Sequence, residues 1–134
     1  MSPQILHRKL IKLEEHLELL KEFQGCSYDF FWEHHWKFER LFEVTMMIAS
    51  DIIFHLLKIR DDVEPTTYRS AFLRAGEINL LSPEIASNLS LAAGMRNILV
   101  HQYEEIDYEL LHRSIGQMIS DFEQFFVEMN EVKI

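Results

Sequence analysis

Leu6, Leu10, Leu13, Leu17 and Leu20 recur at spacings of four and three residues. A helix turns once in 3.6 residues, so these leucines fall on one line, and that line must be buried against other helices. Ser2-Pro3 just ahead has the form of an N-cap and a first-turn proline, and it predicts a first helix that ends near Gly25. The apolar pattern then predicts one long second helix, from about Ser27 or Asp29 to Lys58. Leu41, Thr45, Ile48, Ile52 and Leu56 form one of its faces, and Phe38, Phe42, Met46 and Ile53 form another. A helix apolar on two faces is covered on two sides, by its own bundle or by a partner chain.

The remaining punctuation continues the helical reading. Asp61, Asp62 and Pro65 mark a loop. Thr67 to Ala75 predicts a short helix ended by Gly76. Ser82-Pro83-Glu84 repeats the cap-plus-proline start and opens a helix carrying Ile85, Leu89, Ala92 and Ala93. Asp107 is placed to cap a last helix with Leu111, Ile115, Met118, Phe122, Phe125 and Met129 on one stripe. No stretch alternates with period two for long enough to form a sheet. The expectation is an all-α bundle of about five helices, one domain over residues 1–134.

Nearly half of the 134 residues are apolar, which argues for a packed core and against disorder. The net charge of −9 does not suit a general nucleic-acid coat, but it leaves room for a small basic cleft. Cys26 is the only cysteine, so no intrachain disulfide forms, as suits a reducing cytosol. The start, Met-Ser-Pro-Gln, lacks a signal-peptide pattern, and Met46 to Leu57 is too short and too polar to span a bilayer. A cytoplasmic protein without membrane attachment is expected.

Most polar candidates have plain explanations. His34 and His35 lie near Glu33 and Glu39, but such His–carboxylate neighbours arise easily along a helix, so they read as solvated helix residues and not as a metal site. Cys26 has no histidine or cysteine beside it to make a nucleophile. Phe122, Phe125 and Phe126 follow helical spacing and read as core. Asp51 and His55, one turn apart in an apolar helix, read as a buried hydrogen-bonded pair that can also support a site from behind.

The stretch GMRNILVHQYEEID, residues 94–107, is harder to dismiss. On an ideal helix Asn97 and His101 lie about 40° apart on one face, and the long Arg96 side chain can sweep toward them. Tyr103 falls past the expected helix end. One rim would then display a guanidinium, an amide, an imidazole and a phenol. Arginine grips phosphate with two donors, and histidine exchanges protons near neutral pH. Arg96 and His101 alone would be explained by cations stabilising a helix C-terminus.

Arg96-Asn-Ile-Leu-Val-His101-Gln-Tyr103, followed by Ile106-Asp107, resembles the signature of the HepT family of HEPN-domain toxins. The run FERLFEVTMMIASDIIFHLL is similar to the family's long second helix, with Glu39-Arg40, Asp51 and His55 at the usual offsets. TTYRSAFLRAGEINLLS resembles its short middle helix, and the order of the pieces matches along nearly the whole chain. The acidic Glu104 and Glu105 after the signature are unusual for an RNA-facing rim.

The resemblance implies an all-helical HEPN fold and a homodimer with the signature at the dimer cleft. It implies endoribonuclease activity on RNA that needs no metal and no cofactor. It also implies a partner nucleotidyltransferase antitoxin, of the MntA type, that transfers AMP to the signature tyrosine. Carried over, Arg96 and His101 are catalytic, Asn97 shapes the site, Asp51 and His55 support it, and Tyr103 is the modified residue. A different class remains open: a non-catalytic nucleotide-binding or substrate-presenting subunit of a nucleotidyltransferase complex. Pure binding does not require a proton-transfer residue, so the Arg-plus-His pair favours the enzyme.

Overall fold

A computed structural model describes residues 2–62, 64–101 and 105–133. Six α-helices and one 3-10 turn make up the regular structure of the described residues, and no strand occurs among them. The expected all-α class therefore holds, with one helix more than anticipated.

Helix α1, Pro3–Leu20, starts where the sequence places it: the Ser2 hydroxyl accepts from the Ile5 amide at 3.2 Å. Its five stripe leucines are all buried. The helix stops earlier than expected. It tightens into a 3-10 turn, Lys21–Phe23, and Gly25 then redirects the chain at φ 71°, a conformation glycine adopts without cost.

The expected long second helix is two helices. Ser27 caps α2, Tyr28–Glu33, and α3 runs His35–Asp61, with His34 between them at φ −118°. The reason lies in the core. Phe31 and Phe38 are both fully buried, with ring centroids 5.7 Å apart, and Phe38 meets Phe23 at 5.3 Å. An unbroken helix would separate residues 31 and 38 by about 10 Å along its axis. The break lets both rings enter one cluster.

On α3, Phe38, Phe42, Met46 and Ile53 are buried, as are Thr45, Ile52 and Leu56 of the other face. Thr45 is tolerated there because its hydroxyl donates to the Leu41 carbonyl at 2.7 Å. α3 packs against α1, α4 and α5. Beside them Val44, Met47 and Ile48, the last from the Leu41-to-Leu56 face, form a stripe that stays partly open.

Helix α4, Tyr68–Glu77, begins with a reciprocal capping box between Thr67 and Ser70. Gly76 lies inside it and is not its cap, contrary to expectation. A Cβ on Gly76 would come within 2.5 Å of the Ala86 Cβ, so the glycine is there to let α5 close on α4. The turn is made instead by Asn79 at φ 60°. α5, Pro83–His101, and α6, Tyr108–Asn130, complete the bundle, and Asp107 caps α6 as expected, accepting from the Leu110 amide at 3.0 Å. Phe122 and Phe125 are fully buried. No described helix is long and apolar enough to cross a membrane.

Candidate functional site

The last two turns of α5 carry Arg96, Asn97 and His101. Asn97 and His101 are exposed. Arg96 behaves differently. Its side chain is 16% exposed and reaches toward α3 and α4. The guanidinium carbon lies 5.0 Å from the centroid of the Tyr68 ring, at the start of α4. One terminal nitrogen faces the Glu43 carboxylate of α3 at 3.9 Å, longer than a hydrogen bond. Among the described residues, the buried Nε of Arg96 has no hydrogen-bond partner. Glu43 is shared, because Arg40 also approaches it at 3.4 Å. Tyr103 lies outside the described residues.

Asp51 and His55 are not the buried pair that an apolar helix suggested. Their side chains are 44% and 52% exposed, with His55 Nε2 and Asp51 Oδ1 3.3 Å apart. Asp51 also pairs with Lys9, which ties α1 to α3. The pair is separate from Arg96 but not remote. Asp51 lines a shallow groove with Val44, Met47, Ile48, Phe54 and Tyr68. Tyr68 thus borders the groove and also carries the guanidinium. No hydrogen bond or ion pair among the described residues joins Arg96, Asn97, His101, Asp51 and His55 to one another, apart from Asp51 with His55.

His35 corrects another expectation. It is buried, with Nδ1 2.8 Å from Glu39 Oε2, and its ring stacks on Trp32 at 4.6 Å. Tyr108 meets the same histidine edge-on at 5.0 Å, and burial, then Glu39, pushes its phenol up from the ordinary value. This is a packed aromatic cluster in which His35 is buried while Trp32 stays half-exposed, and one helix of sequence could not reveal that Tyr108 would cover His35. The Cys26 thiol is also pushed up, by burial, which suits an inert cysteine. Among the described residues no three His, Cys, Asp or Glu side chains are grouped to hold a metal ion.

Glu43 and Tyr68 are the neighbours of Arg96 that sequence reasoning missed. Both lie in stretches that resemble the HepT family, but nothing in their spacing tells that three helices bring them to one arginine.

The sequence profile described as Ribonuclease HepT-like matches residues 13–129. The chain belongs to the HepT-like ribonuclease family. Within the span matched by that family lie the first-helix leucines from Leu13 on, α2 to α5 and most of α6. Relatives include the tRNA nuclease HepT of Aphanizomenon flos-aquae, 28% identical over 137 residues, covering all of this chain and 93% of that protein. The mRNA nuclease HepT of Shewanella oneidensis is 31% identical over 75 residues, 56% of each chain. Among solved structures, the tri-AMPylated Shewanella oneidensis HEPN toxin in complex with MNT antitoxin superposes with a TM-score of 0.86 at 20% identity. That likeness covers 98% of this chain and 100% of the other, and it establishes the shared HEPN fold.

Proposed function

We propose that the protein is a toxin endoribonuclease that cuts RNA without a metal ion or other cofactor, with Arg96 and His101 as its catalytic residues. The observation that carries this reading is the state of Arg96. It is a largely buried cation at the end of α5, held by a ring face and a long ion pair, within a HepT-like chain. An arginine serving only the helix C-terminus would be solvated. The two nuclease relatives act, by their names, on tRNA and on mRNA, which supports RNA as the substrate class and leaves the kind of RNA open.

The chemistry follows from RNA itself. The 2′-oxygen attacks the adjacent phosphorus while a base takes its proton. The bond from phosphorus to the 5′-oxygen breaks, and an acid protonates the leaving oxygen. A 2′,3′-cyclic phosphate and a 5′-hydroxyl result. His101 transfers protons, Arg96 neutralises the phosphorane charge, and Asn97 shapes the exposed rim. Each chain supplies one such histidine, so a homodimer with its signatures face to face supplies both acid and base. The open stripe Val44, Met47 and Ile48 on α3 supports a second chain there. Asp51 lines the groove, and His55, paired with it at 3.3 Å, supports it from one turn away.

Regulation is proposed by a nucleotidyltransferase antitoxin of the MntA type. The phenol oxygen of Tyr103 attacks the α-phosphorus of ATP and pyrophosphate leaves. The attached AMP adds a phosphodiester, the kind of group a guanidinium grips, and so competes with the RNA substrate. The AMPylated toxin–antitoxin relative supports this pairing. The test is to incubate purified, unmodified protein with RNA in EDTA and identify the ends. Cyclic phosphate products are expected, and activity that requires a divalent ion contradicts the mechanism. Co-expression with the antitoxin should add AMP to Tyr103, and neutralisation with the adduct on Tyr28, Tyr68 or Tyr108 would contradict that role.

A further inference from the structure

We propose that Tyr68 is the positioning residue that holds Arg96 ready for phosphate, an inference that rests on the catalytic reading of Arg96. Tyr68 is the first residue of α4, and its backbone is set by the Thr67/Ser70 capping box. Its ring packs on Phe54 of α3, with centroids 5.6 Å apart and planes tilted by 51°, and carries the Arg96 guanidinium 5.0 Å above its centroid. The tyrosine is thus held by α3 and loaded by α5.

A ring face attracts a guanidinium through its quadrupole without occupying any N–H group. The alternative support for an arginine, a bidentate carboxylate, engages the same planar fork that a phosphate needs. The chain contains that alternative elsewhere. Arg74 donates to Asp61 at 2.7 and 3.0 Å and to Glu77 at 2.8 Å, and its donors are committed. Arg96 by contrast meets one carboxylate among the described residues, Glu43, at 3.9 Å, which is too long for a hydrogen bond. Tyr68 therefore fixes where the cation sits, and the loose Glu43 pair yields when phosphate arrives. Glu43 does not lose its own partner in the exchange, since Arg40 remains beside it.

The contrast with a purely structural link between α4 and α5 is measurable. Cleavage of a short single-stranded RNA, binding of the same RNA and thermal unfolding are measured for wild type, Tyr68→Phe, Tyr68→Leu, Arg96→Ala and the Arg96→Ala/Tyr68→Leu double variant. Tyr68→Leu is expected to lower kcat/KM about tenfold, as fits loss of a shielded cation–ring contact. Tyr68→Phe, which keeps the ring, should stay within about threefold of wild type. In the Arg96→Ala background, Tyr68→Leu should cost less than about twofold more, because it acts through the missing arginine. If Tyr68→Leu fails to fold, Tyr68→Met keeps the bulk and removes the ring. A full rate without the ring, an equal loss in Tyr68→Phe, or an additive loss in the double variant overturns the proposal and leaves the ribonuclease reading intact. A wild-type chain that neither binds nor cleaves RNA overturns both.

Discussion

Gly76 and Ala86 touch so closely that a methyl group added to the glycine would lie 2.5 Å from the alanine Cβ. This contact sets the spacing of α4 and α5, and through it the distance from Tyr68 to Arg96. Gly76→Ala should destabilise the fold by about 1–3 kcal/mol, despite alanine's better helix propensity, because the backbones must part. Gly116 on α6 has open space around the same position, so Gly116→Ala should be neutral or stabilising by up to about 1 kcal/mol. Equal shifts in unfolding temperature for the two variants would contradict the assigned contact.

Arg74 holds the Asp61 carboxyl below its usual range through two hydrogen bonds, and so joins the end of α3 to α4. A carboxyl whose folded value is lowered stabilises the fold above its unfolded value, about 3.9, and loses that contribution as pH falls toward the folded value. Asp61→Asn should therefore lower the unfolding temperature at pH 7, and the gap to wild type should close below about pH 4. A gap that persists undiminished at lower pH would assign the effect to packing.

The exposed stripe on α3 is expected to be the dimer contact. Light scattering should give twice the chain mass. Met47 is 41% exposed in the single chain, so Met47→Glu should leave the monomer folded but weaken the dimer by about tenfold or more, since a buried carboxylate without a partner is costly. An unchanged dimer would move the interface elsewhere.

Most helix starts were readable in the sequence because N-caps are local. Ser2, Ser27 and Asp107 each accept from an amide three residues on, and Ser82 does so at 3.4 Å. The stripes of α1 and α6 were readable because burial on one face follows the helical period. The break at His34 was not readable, because it serves contacts among Phe23, Phe31 and Phe38 that exist only after folding. Gly76 was misjudged for the same reason: a glycine inside a helix and one beyond its end look alike until Ala86 is in place. Arg96, Asn97 and His101 were identifiable as a spacing, yet the direction of Arg96 depends on Glu43 and Tyr68, which come from two other helices. The exposure of Asp51 and His55 was misread because α3 is not covered evenly along its length.

Arg96 and His101 are proposed to cut RNA together. Rates of RNA cleavage in EDTA by wild type, Arg96→Ala and His101→Ala, each purified without the antitoxin and each with an unchanged unfolding temperature, test this. Both substitutions are expected to reduce the rate by about a hundredfold or more, the contribution of a positioned proton-transfer or charge-stabilising group. A wild-type rate retained by either variant would contradict the assignment.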